Sequence, residues 1–122
     1  MDLQLTDRVY IVTGASRGLG RATAEVLVQE GARVVVSSRF QDAVDEAVRS
    51  LGADCVAGLV ADNADPHAPA ALIKAARDRF GRLDGALVSV GGPPPGSVMT
   101  RSDDEWRTSF ESVFLGAVRL CT

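Results

Sequence analysis

Residues Thr13 to Gly20 read Thr-Gly-Ala-Ser-Arg-Gly-Leu-Gly. The residues just before them, Val9-Tyr10-Ile11-Val12, form an apolar run, and from Leu19 to Glu30 the residues Leu19, Ala22, Thr23, Val26 and Leu27 recur at helical spacing. The glycines therefore stand at a strand-to-helix turn, which is the setting a dinucleotide-binding turn requires. Gly14 lets the chain turn tightly off the strand, Gly18 lets backbone approach a pyrophosphate, and Gly20 lets the helix lie close to the sheet. The helix N-terminus that follows offers free N–H groups and the positive end of its dipole to the phosphates. Gly14, Ser16, Arg17, Gly18, Leu19 and Gly20 are the candidate contacts of this turn. Glycine turns also occur in proteins that bind nothing, but three glycines at this spacing directly after a strand favour a phosphate site. A Walker-type loop is set aside, because it needs Lys followed by Ser or Thr after the last glycine, where this chain has Arg21-Ala22.

Outward from this turn, strand and helix patterns alternate. Arg8 to Thr13 reads as a strand apolar throughout, as expected where helices cover both faces of a sheet. Gly31 is placed to end the first helix, and Arg33 to Ser37 is a second strand. Gln41 to Leu51 carries Ala43, Val44, Ala47, Val48 and Leu51 on one helical face, and Asp54 to Val60 is a third strand. Asp65 before Pro66 reads as an N-cap with proline in the first turn, opening a third helix that runs through Phe80 and stops at Gly81. Leu83 to Ser89 is a fourth strand, and Pro93-Pro94-Pro95-Gly96 reads as a stiff loop or a plain linker. Ser102-Asp103-Asp104 makes a capping-type start for a last helix that continues to the end of the chain. Its apolar stripe of Trp106, Phe110, Val113, Phe114, Ala117, Leu120 and Cys121 packs in part on the sheet, or wholly as internal core. The pattern predicts an α/β doubly wound parallel sheet of about four strands and four helices, in the order 3-2-1-4 with right-handed crossovers.

The totals fit this reading. A chain of 122 residues, 46% hydrophobic and 24% charged, suffices for one globular domain over residues 1–122. A net charge of −3 with scattered basic residues gives no nucleic-acid surface and no polybasic anchor. No apolar run is long enough to span a bilayer, and the first residues, Met-Asp-Leu-Gln-Leu-Thr-Asp-Arg, lack the regions of a secretory signal, so the expected compartment is the cytoplasm. Cys55 and Cys121 are far apart in sequence with no CxxC and no histidine at metal spacing, which argues for reduced thiols and no metal site. His67, the single histidine, reads as a solvated residue at a helix start.

The spacing TGxxxGxG, with the elements around it, resembles the N-terminal part of the short-chain dehydrogenase/reductase family, and ketoacyl-reductase-like members most. The resemblance covers essentially the whole chain and implies a Rossmann fold that binds a nicotinamide cofactor. In such a unit an acidic residue near the end of the second strand accepts bonds from the adenosine ribose, whereas an arginine there accommodates a 2′-phosphate. This chain has Ser38-Arg39 and no carboxylate, and Arg17 lies in the glycine turn. Ser38 can donate to a phosphate and the two arginines can clamp it, so the pattern favours NADP over NAD, unless both arginines are ordinary solvated residues. Asp62, with Asn63 beside it, stands where the family has an aspartate that meets the adenine amino group. A turn-forming aspartate explains Asp62 equally well. The fourth strand in the family ends in Asn-Asn-Ala-Gly, whereas this chain has Ser89-Val90-Gly91-Gly92. Gly91 and Gly92 still allow backbone to approach a nicotinamide ribose, but both amide side chains are absent.

The family's reaction moves hydride between the nicotinamide and a carbonyl or alcohol substrate, with a tyrosine and, four residues on, a lysine. The one tyrosine here is Tyr10, the one lysine is Lys74, and four residues after Tyr10 is Gly14. No catalytic residue is therefore assigned within the chain. The helix position where the family usually carries a water-anchoring asparagine is Val113, counted both from Trp106 and back from Gly116. That substitution and the changed fourth-strand turn mark a divergent member. A complete member is roughly twice this length, and the end at Thr122, which leaves the fourth strand without a further neighbour, reads as a cut. The expectation is the cofactor-binding part of an NADP-dependent oxidoreductase, inactive by itself and self-associating through the last helix. The alternative is an inactive NADP-binding or interaction module.

Overall fold

The computed structural model describes residues 1–122. Strand β1 is Val9–Val12, β2 is Arg33–Ser38, β3 is Val56–Val60 and β4 is Gly85–Leu87. All pair in parallel in the order β3-β2-β1-β4, with Val9 opposite Arg33, Val34 opposite Val56 and Tyr10 opposite Gly85. Helices α1, Gly18–Gln29, and α2, Gln41–Leu51, cover one face of the sheet and α3, Ala68–Phe80, covers the other, as expected of a doubly wound sheet.

The continuous apolar strands are explained by a core on each face. Because side chains alternate along a strand, Val12, Val34, Val36 and Val56 meet Ala15, Ala24 and Ala47 on one side, while Val9, Ile11 and Val35 meet Leu72 and Ala76 of α3 on the other. Burying one such valine or leucine contributes about 1.5–3 kcal/mol. Small residues set the spacing: a Cβ on Gly58 of β3 would come within 2.4 Å of Val44 and 2.7 Å of Val48, so α2 rests directly on that strand.

Three elements differ from the sequence reading by two residues at a boundary. Helix α3 begins at Ala68, not at Pro66, and Asp65 is not its N-cap. The Asp65 carboxylate instead accepts the His67 N–H at 2.8 Å and its carbonyl accepts the Ala68 N–H, so Asp-Pro-His closes a turn ahead of the helix and Pro69 takes the first-turn position. The third strand starts at Val56 because Cys55 donates to the Gly52 carbonyl in a turn. The fourth is shorter at both ends, pairing with β1 over Gly85–Leu87 before the chain leaves the sheet edge.

The last helix starts with the expected capping box: Ser102 Oγ accepts the Glu105 N–H, and the Glu105 carboxylate accepts the Ser102 N–H. It is not uniform. Helix α4, Asp103–Phe110, passes into a π-helical stretch, Glu111–Leu115, and continues as α5, Gly116–Cys121. Ser112 Oγ donates toward the carbonyls of Thr108, at 3.1 Å, and Ser109, at 3.3 Å, which supports the carbonyls that the wider turn loosens. Gly116 lets the helix reach the loop after β3, since a Cβ there would fall on the Asn63 carbonyl. Leu120 packs against the α3 side of the core, whereas Trp106, Phe110 and Phe114 stay more than half exposed and the two phenyl rings stack 5.1 Å apart. The stripe is therefore not all internal core.

Candidate functional site

A cleft of about 590 Å³ opens at the C-terminal ends of the strands, where the loops after β1, β2, β3 and β4 converge. Position follows from topology, because β1 and β4 diverge here into connections that leave in opposite directions.

The floor of the cleft is a fastened turn. Thr13 Oγ1 donates to the Ser89 carbonyl and accepts the Ser89 N–H, both at 2.9 Å, and Ala15 N–H donates to the Ser37 carbonyl at 3.1 Å. Three strand ends are thereby tied to one another. Gly14 sits at φ +58°, and a Cβ on it would lie 2.7 Å from the Ser89 carbonyl oxygen, so glycine is demanded by both backbone angle and space. Gly18 sits at φ +63° with no atom within 4 Å of a Cβ, which leaves room on its cleft side. Gly20 is buried behind the turn and does not line the cleft, contrary to its inclusion among the contacts. A Cβ on it would be 2.4 Å from the Gly14 carbonyl oxygen, so its role is to seat α1 against the turn.

Helix α1 begins at Gly18 with Arg17 in extended conformation at its N-cap, no side-chain cap and no acidic residue in its first turn. Its leading N–H groups remain open to an anion. Gly14, Ser16, Arg17, Gly18 and Leu19 line this side of the cleft, Ser38 and Arg39 the next, Asp62 and Asn63 the third, and Gly91 and Gly92 the last. Neither Arg17 nor Arg39 is paired with a carboxylate, although many other arginines of the chain are, including Arg21 with Glu25 and Glu46. Ser38 Oγ accepts the Phe40 N–H at 3.5 Å. Asp62 does serve its turn: Oδ1 accepts the Ala64 N–H at 2.9 Å and its carbonyl accepts the Asp65 N–H, while the side chain still borders the cleft. The two readings of Asp62 are compatible.

The cleft also holds residues that the sequence reading did not single out as contacts: Phe40, Ala61, Ser89, Val90 and Ser112. Phe40 follows Arg39 directly and was legible as a neighbour. Ser112 was not, because it lies outside the apolar stripe of the last helix, within the π-helical stretch. Val113 does not line the cleft, and Ser112 does. Neither Tyr10 nor Lys74 reaches it. Tyr10 packs its ring against Gly85 within the sheet, and Lys74 pairs with Asp78 on the outer face of α3.

At the opposite end of the sheet, Asp84 joins the starts of β1 and β4. Its carboxylate accepts Arg82 Nε at 2.8 Å, the Val9 N–H at 2.9 Å and Arg8 at 3.2 Å. Bonding from Arg82 first, and from Val9 and Arg8 after it, holds its pKa down at about 2.

An open parallel sheet with a glycine turn, an uncapped helix N-terminus and a cleft at the point where strand order reverses defines a dinucleotide-binding α/β domain. The sequence pattern of the short chain dehydrogenase family matches residues 8–122, and the chain belongs to that family. It is 34% identical over 120 residues to the uncharacterized oxidoreductase YvrD of Bacillus subtilis, covering 98% of this chain and 45% of that protein. An uncharacterized oxidoreductase of Staphylococcus saprophyticus is 33% identical over 100 residues, with 82% and 41% covered. The fold is similar to that of L-sorbose reductase from Gluconobacter frateurii, solved with NADPH and L-sorbose, with a TM-score of 0.91, 32% identity, and 99% of this chain and 47% of that one covered. A short-chain dehydrogenase/reductase from Brucella melitensis gives a TM-score of 0.92 at 28% identity, with 99% and 50% covered. The chain thus spans less than half the length of these two oxidoreductases and about half that of the two solved structures.

Proposed function

We propose that these residues form the cofactor-binding part of an NADP-dependent oxidoreductase that moves hydride between the nicotinamide and a small carbonyl or alcohol substrate. The observation that carries the reading is the pair of carboxylate-free arginines, Arg17 and Arg39, lining the cleft beside Ser38, with no acidic side chain at the end of β2. An acidic residue there would receive ribose hydroxyls, whereas two free guanidiniums and a hydroxyl suit a 2′-phosphate. The pyrophosphate would lie over Gly18 at the start of α1, the adenine by Asp62 and Asn63, and the nicotinamide ribose by Gly91 and Gly92. When bound, the nicotinamide supplies or accepts the hydride. The NADPH in the sorbose reductase structure supports the same choice of cofactor.

The tyrosine and lysine that would serve the proton at the substrate oxygen are not in this cleft, because Tyr10 and Lys74 are both elsewhere. Residues 1–122 alone therefore bind cofactor without turning substrate over. The exposed Trp106, Phe110 and Phe114 support self-association through the last helix. Charge-assisted bonds to the phosphate contribute about 1.5–3 kcal/mol each, or roughly tenfold to a hundredfold in affinity. Titration of NADPH and NADH into the wild type and Arg39→Ala is the test. NADPH binds more tightly to the wild type and loses its advantage in the variant; equal affinities in the wild type would rule the assignment out.

A further inference from the structure

We propose that Phe40 is a positioning residue that sets cofactor specificity, its ring bracing the Arg39 guanidinium for a phosphate on the adenosine ribose; the proposal rests on the NADP reading above. Phe40 links β2 to α2, and its backbone is pinned on both sides. Its N–H donates to Ser38 Oγ at 3.5 Å and its carbonyl accepts the Val44 N–H at 3.1 Å, with φ −117° and ψ 129°. The ring is not part of the core. It stands 64% exposed at the cleft, and the Arg39 guanidinium carbon lies over it, 5.5 Å from the ring centre.

Physical chemistry gives this contact a direction. A guanidinium is drawn to the face of an aromatic ring by the ring's quadrupole, so the ring restrains a long side chain that would otherwise sample many rotamers. No carboxylate competes for Arg39, so its charge remains available for a bidentate bond to a phosphate. The Phe40 N–H acts on Ser38 in the same way. Because Ser38 Oγ is the acceptor in that bond, its own hydrogen is free to point at an anion. One residue thus orders both of its predecessors, the hydroxyl through its backbone and the guanidinium through its ring.

The experiment compares adenosine 2′,5′-bisphosphate with adenosine 5′-monophosphate, two probes that differ by the ribose phosphate alone. Affinities are measured by calorimetry on the purified protein, its Phe40→Leu and Phe40→Trp variants, and Phe40→Leu in the Arg39→Ala background. The exposure of Phe40 makes these substitutions compatible with folding, which circular dichroism checks. Expected is a fall of about two- to fivefold in the bisphosphate-to-monophosphate affinity ratio for Phe40→Leu, retention of the ratio in Phe40→Trp, and no further fall in the double variant. A ratio unchanged in Phe40→Leu overturns the bracing role while leaving the NADP reading intact. Affinities for both probes falling together overturn it as well, and assign the ring to the adenine instead. No preference for the bisphosphate in the wild type removes the NADP reading and the proposal with it.

Discussion

Alanine at Gly18 and at Gly20 separates the binding role of the glycine turn from its packing role. At Gly18 the backbone has φ +63° and an added Cβ meets no atom within 4 Å, so the cost to folding is that of a left-handed alanine, about 1 kcal/mol. At Gly20 the angle is ordinary, but the Cβ would lie 2.4 Å from the Gly14 carbonyl oxygen and 3.1 Å from that of Thr13. Both neighbours are backbone and cannot rotate away, so α1 must shift off the turn, a cost of about 3 kcal/mol at the upper end of overpacking. For binding the first substitution matters more than its stability cost suggests, because a methyl group at Gly18 occupies the space assigned to the pyrophosphate. Urea unfolding of the two variants, with NADPH titration followed by fluorescence, reads both effects. Gly18→Ala unfolds about 0.5 M urea earlier than wild type, for a slope near 2 kcal/mol/M, and loses roughly tenfold or more in NADPH affinity. Gly20→Ala loses considerably more stability. Wild-type NADPH affinity in Gly18→Ala would refute the placement of the phosphates, and equal stability of the two variants would refute the close seating of α1.

Other outcomes follow from the core and the strand starts. Asp84 has its folded pKa held at about 2, below the unfolded value of about 3.9, so its contribution to stability is complete above about pH 4 and fades as the pH falls toward 2. Asp84→Asn accordingly flattens the acid side of the stability profile between those values, as measured by urea midpoints across pH; an unchanged profile would mean the Arg82 and Val9 bonds are not maintained in solution. Leu72→Ala empties a fully buried position between α3 and the sheet and destabilises by about 2–5 kcal/mol in the same assay. In any longer chain that contains these residues and reduces a ketone with NADPH, Tyr10→Phe and Lys74→Ala leave kcat within experimental error, because neither side chain reaches the cleft; a large loss in either would contradict the site as described.

The sequence by itself determined the class of fold, the strand order and most of the cleft. Continuous apolar residues in β1 and β2 can be satisfied only by a sheet covered on both faces, and glycine at Gly14 and Gly18 announces backbone angles that other residues resist. These are local signals, since each is carried by residues adjacent in the chain. The tertiary structure decided what depends on distant partners. Gly20 bears on the turn behind the cleft rather than on the cleft itself because of where the Gly14 carbonyl comes to rest. Asp65 closes a turn instead of capping α3, an alternative equally open to any aspartate before a proline. Ser112 and not Val113 lines the cleft, from within a π-helical stretch, and Gly116 must pass against Asn63 from a loop far away in sequence. Periodicity assumes a regular helix, so a change of phase within it is invisible until the packing that stabilises it is seen.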